Sequence, residues 1–163
     1  MKKVNELIKL PEVKTIFNLF NNNQGIYLVG GCIRDALSGK DVTDIDFAVD
    51  IDPEEVIKIL TNNDIKFYDI GINYGTVTAV IDSKNYEITS LREDIETDGR
   101  HAKVKYTSDI KADSLRRDFT INAIYANRDG ELFDFHNGIE DIENRKLKFI
   151  GSAIDRVKED YLR

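Results

Sequence analysis

The sequence predicts an α+β domain, and three observations carry that expectation. Apolar residues recur at helical spacing over residues 3–22, 53–60 and about 112–126. Short runs with strand period lie between them, at residues 26–29, 42–49 and 65–70. Finally, residues 76–81 and 86–91 flank the polar stretch Asp82-Ser83-Lys84-Asn85, which is hairpin chemistry.

Taken in order, Leu7, Leu10, Val13, Ile16, Phe17 and Phe20 form one helical stripe, broken or restarted at Pro11. Asn21 to Gly25 end it, and Ile26 to Val29 begin the first strand. Gly30-Gly31 follow, Cys32 to Leu37 read as a short helix, and Ser38-Gly39-Lys40-Asp41 as a turn. The chain re-enters an extended segment at Val42. Asp52 reads as an N-cap, with Pro53 at the first helical position and Glu55 three residues beyond the cap. Residues 93–110 are polar and without clear period, a long loop with one short strand near Val104 to Tyr106. A helix from Asp109 or Ala112 to about Ala126 comes next. Glu131 to Phe135 is a strand, Ile139 to Glu143 a short helix, Leu147 to Phe149 a last strand, and Ser152 caps a final helix.

Length and composition bound the function. At 163 residues and 41% hydrophobic content the chain is one domain, or one with the start of a second. No apolar run reaches the roughly 20 residues of a membrane span, and no signal-peptide core follows Met1-Lys2-Lys3. One cysteine and two histidines exclude an internal disulfide and an ordinary structural zinc site, which suits a cytosolic (cytoplasmic) protein. A net charge of −7 argues against broad nucleic-acid binding by this segment. Local clusters such as Arg116-Arg117 and Arg145-Lys146-Lys148 could still guide an RNA end.

Residues 30–46, GGCIRDALSGKDVTDID, are the chemical centre of the sequence. Two glycines after a strand let backbone N–H groups approach an anion with no Cβ in the way. The helix that follows turns its positive end to the same spot. In the extended segment Ile45, Phe47 and Val49 alternate with Asp44, Asp46 and Ala48. That period puts both carboxylates on one face, roughly 6.5–7 Å apart. Such a pair repels itself unless a cation intervenes, and hard oxygen ligands suit Mg²⁺ bridged to phosphates.

Gly-Gly-x-x-Arg-Asp (Gly30 to Asp35) followed by Asp-x-Asp (Asp44 to Asp46) resembles the signature of class II tRNA nucleotidyltransferases and bacterial poly(A) polymerases. These are polymerase-beta-like nucleotidyltransferases. The resemblance implies a small mixed, largely antiparallel sheet with flanking helices. Residues 1–150 would be the catalytic head and residues 151–163 the start of a truncated neck helix. It also implies template-independent transfer from CTP and ATP to a tRNA 3′ end, or poly(A) addition by the same chemistry. Asp44, Asp46 and Glu87 would hold two Mg²⁺ ions, and Gly30, Gly31 and Arg34 would cradle the triphosphate. From pattern alone Glu87 reads equally as an edge glutamate.

Asp113-Ser114-Leu115-Arg116-Arg117-Asp118, expected at a helix start, has two readings. It is a solvated face with local ion pairs, or, as the resemblance implies, the Asp113, Arg116 and Arg117 contacts to ribose and phosphates. Guanidinium geometry favours Arg117 for phosphate. Glu159-Asp160-Tyr161-Leu162-Arg163 matches the family's Glu-Asp-x-x-Arg run, in which Asp160 and Arg163 would read the base edge. On bare spacing they are a helix ion pair. The tRNA itself would be held mainly by domains beyond this chain. The uninterrupted stretch from Glu93 to Ile110 implies, by the same resemblance, capacity to add the terminal adenosine.

Overall fold

The computed structural model describes residues 2–98 and 101–159. Pro11 divides the N-terminal region into α1 (Lys2–Ile8) and α2 (Pro11–Leu19), because proline fits a first helical turn but not an interior. The chain continues through β1 (Ile26–Val29), α3 (Gly31–Leu37), β2 (Asp46–Val49), α4 (Pro53–Asn62) and β3 (Lys66–Tyr68). The hairpin β4 (Thr76–Ile81) and β5 (Lys84–Ser90) follows. Its turn is only Asp82-Ser83, with φ of 49° and 63°, the two-residue geometry that matches strand twist. The expected four-residue turn is therefore tighter, with Lys84 and Asn85 already in β5.

Next come β6 (Arg92–Asp98), β7 (His101–Tyr106), α5 (Ile110–Leu115), β8 (Ile124–Ala126), β9 (Leu132–Asp134), α6 (Gly138–Glu143) and α7 (Ala153–Glu159). Seven strands form one sheet in the order β3-β4-β5-β2-β1-β8-β9. Only β2 and β5 run parallel, and the other neighbours are antiparallel. The expected α+β fold with a mixed, largely antiparallel sheet is thus the observed one. No helix among the described residues is long and apolar enough to cross a membrane.

Period-two alternation gives the sheet two different faces. Ile26, Leu28, Phe47, Val49, Val77, Ala79, Ile88 and Ile124 share one core cluster with buried residues of α1 to α4. Val29, Ala48 and Tyr125 point the other way, into a smaller cluster with Leu91. Helices α1 to α4 therefore stack on one face, while the opposite face carries α5, whose Ile110 packs against the smaller cluster, and the polar groups beside it.

Several expected elements differ. The helix to Ala126 stops at Leu115, and Ile124–Ala126 is instead a sheet strand buried on both faces. The Arg116-Arg117 pair accordingly sits at the end of α5, with Arg116 as its C-cap, rather than at a helix start. Residues 93–110 are not a loop: β6 and β7 form a separate two-stranded sheet, irregular between Asp94 and Glu96. The run is mostly charged and polar, so no apolar alternation marked these strands in the sequence. Leu147 to Phe149 forms no strand, only a single bridge between Phe149 and Phe119. Asp52 occupies the N-cap of α4, but its side chain makes no capping bond. At α7 the Ser152 hydroxyl does accept from the Asp155 N–H, at 3.4 Å.

Candidate active site

Register assembles the site. Val29 pairs with Tyr125 on one side and Asp46 on the other, and Asp46 pairs with Glu87 across the one parallel junction. Residues opposite one another in paired strands point to the same face, and adjacent strands lie about 4.8 Å apart. Tyr125, Val29, Asp46 and Glu87 thus form one row across four strands, on the face opposite α1 to α4. Asp44 is not on the strand as expected. β2 begins at Asp46, because β1 turns away at Gly30 and leaves residues 42–45 without a partner on that side. Asp44 is exposed in that segment, its Oδ2 accepting from the Thr43 hydroxyl at 3.0 Å.

The carboxylates still feel one another. Burial, then the charge of Glu87, pushes the Asp46 carboxyl up to about 6. Arg117 opposes that rise, and Asp44 adds to it. A half-buried acid beside other acids is the electrostatic situation that a divalent cation relieves. Among the described residues no three His, Cys, Asp or Glu side chains are arranged as a cation cage. Mg²⁺ commonly takes one or two carboxylates and completes its shell with water and phosphate oxygens. The hard oxygen donors of Asp46 and Glu87, side by side on β2 and β5, fit that open arrangement, with Asp44 just ahead of the strand.

Behind the row sits Asp113, 0% exposed. Its Oδ1 accepts from Arg116 Nε at 2.7 Å and from the Arg92 N–H at 3.1 Å. Its Oδ2 accepts from the Tyr125 hydroxyl at 2.7 Å and from Arg117 Nε and Nη2, each at 3.2 Å. Burial disfavours the charged form, yet Arg117, Arg116 and these bonds outweigh it and hold the carboxyl below its usual range. The motif is therefore enclosed rather than solvated, while the local ion pairs of that reading are present, Arg116 and Arg117 both meeting Asp113. Arg117 Nε also donates to the Tyr125 hydroxyl at 2.8 Å, and the guanidinium lies 5.1 Å from that ring centroid. One edge of Arg117 is thereby fixed, and Nη1 faces Gly30.

Gly30 has φ of +81°, where a side chain is strained, and a Cβ there would stand 3.8 Å from Arg117 Nη1. At Gly31 a Cβ would stand 3.5 Å from Arg34 Nη2. The glycine pair is thus flanked by two guanidinium groups. Arg34 is clamped by Asp35, through Nε and Nη2 at 2.9 Å each, and its Nη1 donates to Asn122 Oδ1 at 2.9 Å. Cys32 is buried, and burial pushes its thiol up to about 11, so it is an inert packing residue.

A family model described as the Poly A polymerase head domain matches residues 26–148. The chain belongs to that family. The chain is 44% identical to CCA tRNA nucleotidyltransferase 1, mitochondrial, of Danio rerio, over 96% of this chain and 38% of that protein. Among solved structures, the crystal structure of Bacillus stearothermophilus CCA-adding enzyme in complex with CTP is 32% identical. It superposes with a TM-score of 0.79, over 93% of this chain and 37% of the other. A tRNA nucleotidyltransferase complexed with a primer tRNA and an incoming ATP analogue is 27% identical, with a TM-score of 0.63, covering 78% and 36%. The chain thus spans somewhat more than a third of the length of these relatives. The head-domain fold is that of polymerase-beta-like nucleotidyltransferases.

Of the residues singled out from sequence, the head domain brings Gly30, Gly31, Arg34, Asp46, Glu87, Asp113, Arg116 and Arg117 into one region. Asp160 and Arg163 lie outside the described residues. Two positions were missed. Tyr125 links Asp113 to Arg117, and Asn122 links Arg34 to Asp118, whose Oδ1 accepts from Asn122 Nδ2 at 3.2 Å. A tyrosine within an otherwise apolar run was the available signal, since a buried hydroxyl requires a partner.

Proposed function

We propose that this head domain carries out template-independent nucleotidyl transfer, adding CMP and AMP from CTP and ATP to a tRNA 3′ end. The observation that carries the proposal is the row placing Asp46 beside Glu87, with Arg117 held between that row and Gly30. The RNA 3′-hydroxyl oxygen forms a bond to the α-phosphorus, the bond from that phosphorus to the β-bridging oxygen breaks, and pyrophosphate leaves. The hydroxyl proton is lost in the same step. Asp46 and Glu87, with Asp44, would hold two Mg²⁺ ions, which supply charge neutralisation and alignment of the attacking and leaving oxygens.

The chain's own residues do the rest. Gly30 and Gly31 let the triphosphate lie against the backbone. Arg117 and Arg34 face it from either side, with Asp113, Tyr125, Asp35 and Asn122 fixing their forks before substrate arrives. Arg116 shares Asp113 and completes the nucleotide contacts. Residues 1–150 form the catalytic head, residues 151–163 begin the neck, and Asp160 and Arg163 read the base edge there. The relatives named above, one with CTP and one with primer tRNA and an ATP analogue, support this choice of substrates.

The test is full-length protein given tRNA transcripts ending before C, after C and after CC, with each triphosphate singly and together. Stepwise addition that stops after CCA is expected. The family's description also covers poly(A) polymerases, and continued adenosine addition would assign that activity instead. No incorporation with any transcript would overturn both. Arg117→Lys keeps the charge but loses the fork, so triphosphate affinity should fall about tenfold, the scale of one charge-assisted bond. Calorimetry with CTP and ATP reads this, and unchanged affinity for both would remove Arg117 from the site.

A further inference from the structure

Beyond Arg34 the surface opens into a cleft of about 500 Å³. Arg34, Lys40, Arg145 and Lys146 line it, with Ile121 and Leu147 between them. In a chain of net charge −7 this is a local reversal of sign. Among the described residues, none of Lys40, Arg145 and Lys146 has a carboxylate partner within ion-pair distance. The acid in the wall, Asp141, is already engaged, by Lys148 Nζ at 2.6 Å and the Thr120 hydroxyl at 2.8 Å. The cleft is therefore cationic: Arg34 is held by Asp35, while Lys40, Arg145 and Lys146 carry no ion pair among the described residues.

Arg145 adds an independent observation. It follows the C-cap of α6, Asn144, with φ of +52°. The Arg145 N–H donates to the Ile142 carbonyl at 3.1 Å and the Lys146 N–H to the Asp141 carbonyl at 2.8 Å. These two bonds define the helix-ending motif whose left-handed position is usually glycine. A charged, Cβ-bearing residue stands where the backbone favours none, and its side chain lines the cleft.

We propose that this cleft carries the ribose-phosphate backbone of the acceptor RNA, upstream of its 3′-terminal nucleotide. The inference rests on the nucleotidyl-transfer reading above. Cations spaced along a wall with exposed apolar residues between them (Leu147 is 65% exposed) suit a strand that alternates phosphates with sugars. A compact free anion would need the charges gathered at one point. Because Arg34 borders both the cleft and Gly31, a strand lying there leads its end toward Asp46.

The experiment uses full-length protein and two variants, Lys40→Glu/Lys146→Glu and Arg145→Gly. For the double variant the KM for tRNA should rise about tenfold, with KM for CTP and kcat unchanged. Its salt dependence should flatten by about 0.7 in log–log slope for each contact removed. Arg145→Gly should weaken tRNA binding while leaving the melting temperature unchanged or higher, since glycine relieves the left-handed backbone. A residue serving only structure would not separate those readouts. Unchanged tRNA KM and salt slope in both variants would overturn the proposal. So would weaker inhibition by added pyrophosphate with tRNA affinity intact, which would make the cleft a product site. Fluorescence anisotropy with labelled RNA reads the cleft even if the wild-type protein transfers no nucleotide, which separates failure here from failure of the parent reading.

Discussion

Asp46→Asn in the full-length protein should lower nucleotide addition by about a thousandfold or more while leaving the metal-free fold at least as stable near pH 7. On the proposed nucleotidyl-transfer reading Asp46 would hold Mg²⁺, whose charge neutralisation would supply several kcal/mol in the transition state. The stability effect follows from the raised carboxyl. Burial and Glu87 lift Asp46 to about 6 in the folded chain, well above its value when unfolded. Between those values the folded state holds a proton that the unfolded state has released. The contribution of Asp46 is therefore full below about pH 4 and is lost as pH rises through 6. Asparagine cannot ionise, so the variant should not show that loss. Rates of addition at saturating Mg²⁺, with melts in chelator at pH 5 and 7.5, check both halves. Near-wild-type turnover would remove Asp46 from the chemistry, and a variant destabilised at both pH values would show that the carboxylate serves packing instead.

Asp113→Asn should have the largest effect on stability, about 3–5 kcal/mol at pH 7, because it leaves two inward-facing guanidinium groups without their counter-charge. The side chains of Arg116 and Arg117 are only 16% and 17% exposed, and that of Asp113 is fully enclosed, so solvent screening offers little relief. The sign with pH is opposite to that of Asp46. Arg117 and Arg116 hold Asp113 below its usual range, so its stabilisation is present at neutral pH and disappears as pH falls through the depressed value. Urea unfolding at pH 7 and at strongly acid pH should show a large gap that closes on acidification. A gap under 1 kcal/mol at pH 7 would mean that water replaces the carboxylate at little expense. Triphosphate binding should weaken alongside stability, since Arg117 loses the partner that aims Nη1 at Gly30.

The local parts of this site were legible in the chain. Gly30-Gly31 and the alternation of Phe47 and Val49 are short-range patterns that backbone sterics read directly, whereas the Asp-x-Asp pair was only half legible, since Asp46 is on β2 and Asp44 precedes it. Long-range register was not legible. Nothing near Glu87 says that it lies beside Asp46, and nothing near Asn122 says that it holds Arg34. The extended helix to Ala126 failed for a physical reason. Ile124, Tyr125 and Ala126 are buried on both sides of a central strand, so they carry no alternation, and Leu115, Phe119 and Ala123 before them mimic helical spacing. The β6–β7 pair failed conversely: its sequence is mostly charged and polar, so no apolar alternation marked it. Asp113 left two readings open because enclosure decides between them, and enclosure depends on Tyr125, supplied by another strand.

The single parallel junction between β2 and β5 has a consequence for how the protein acquires activity. A parallel pair cannot form by a tight turn, and here the chain must first complete α4, β3 and β4 before β5 can settle against β2. Asp46 and Glu87 therefore meet only after that crossover closes. During synthesis or refolding, species that have made the local hairpins but not this junction have no assembled centre to sequester metal or triphosphate. The junction is thus a long-range closure that the site requires, and a ligand that binds only the closed form pulls the remaining population toward it.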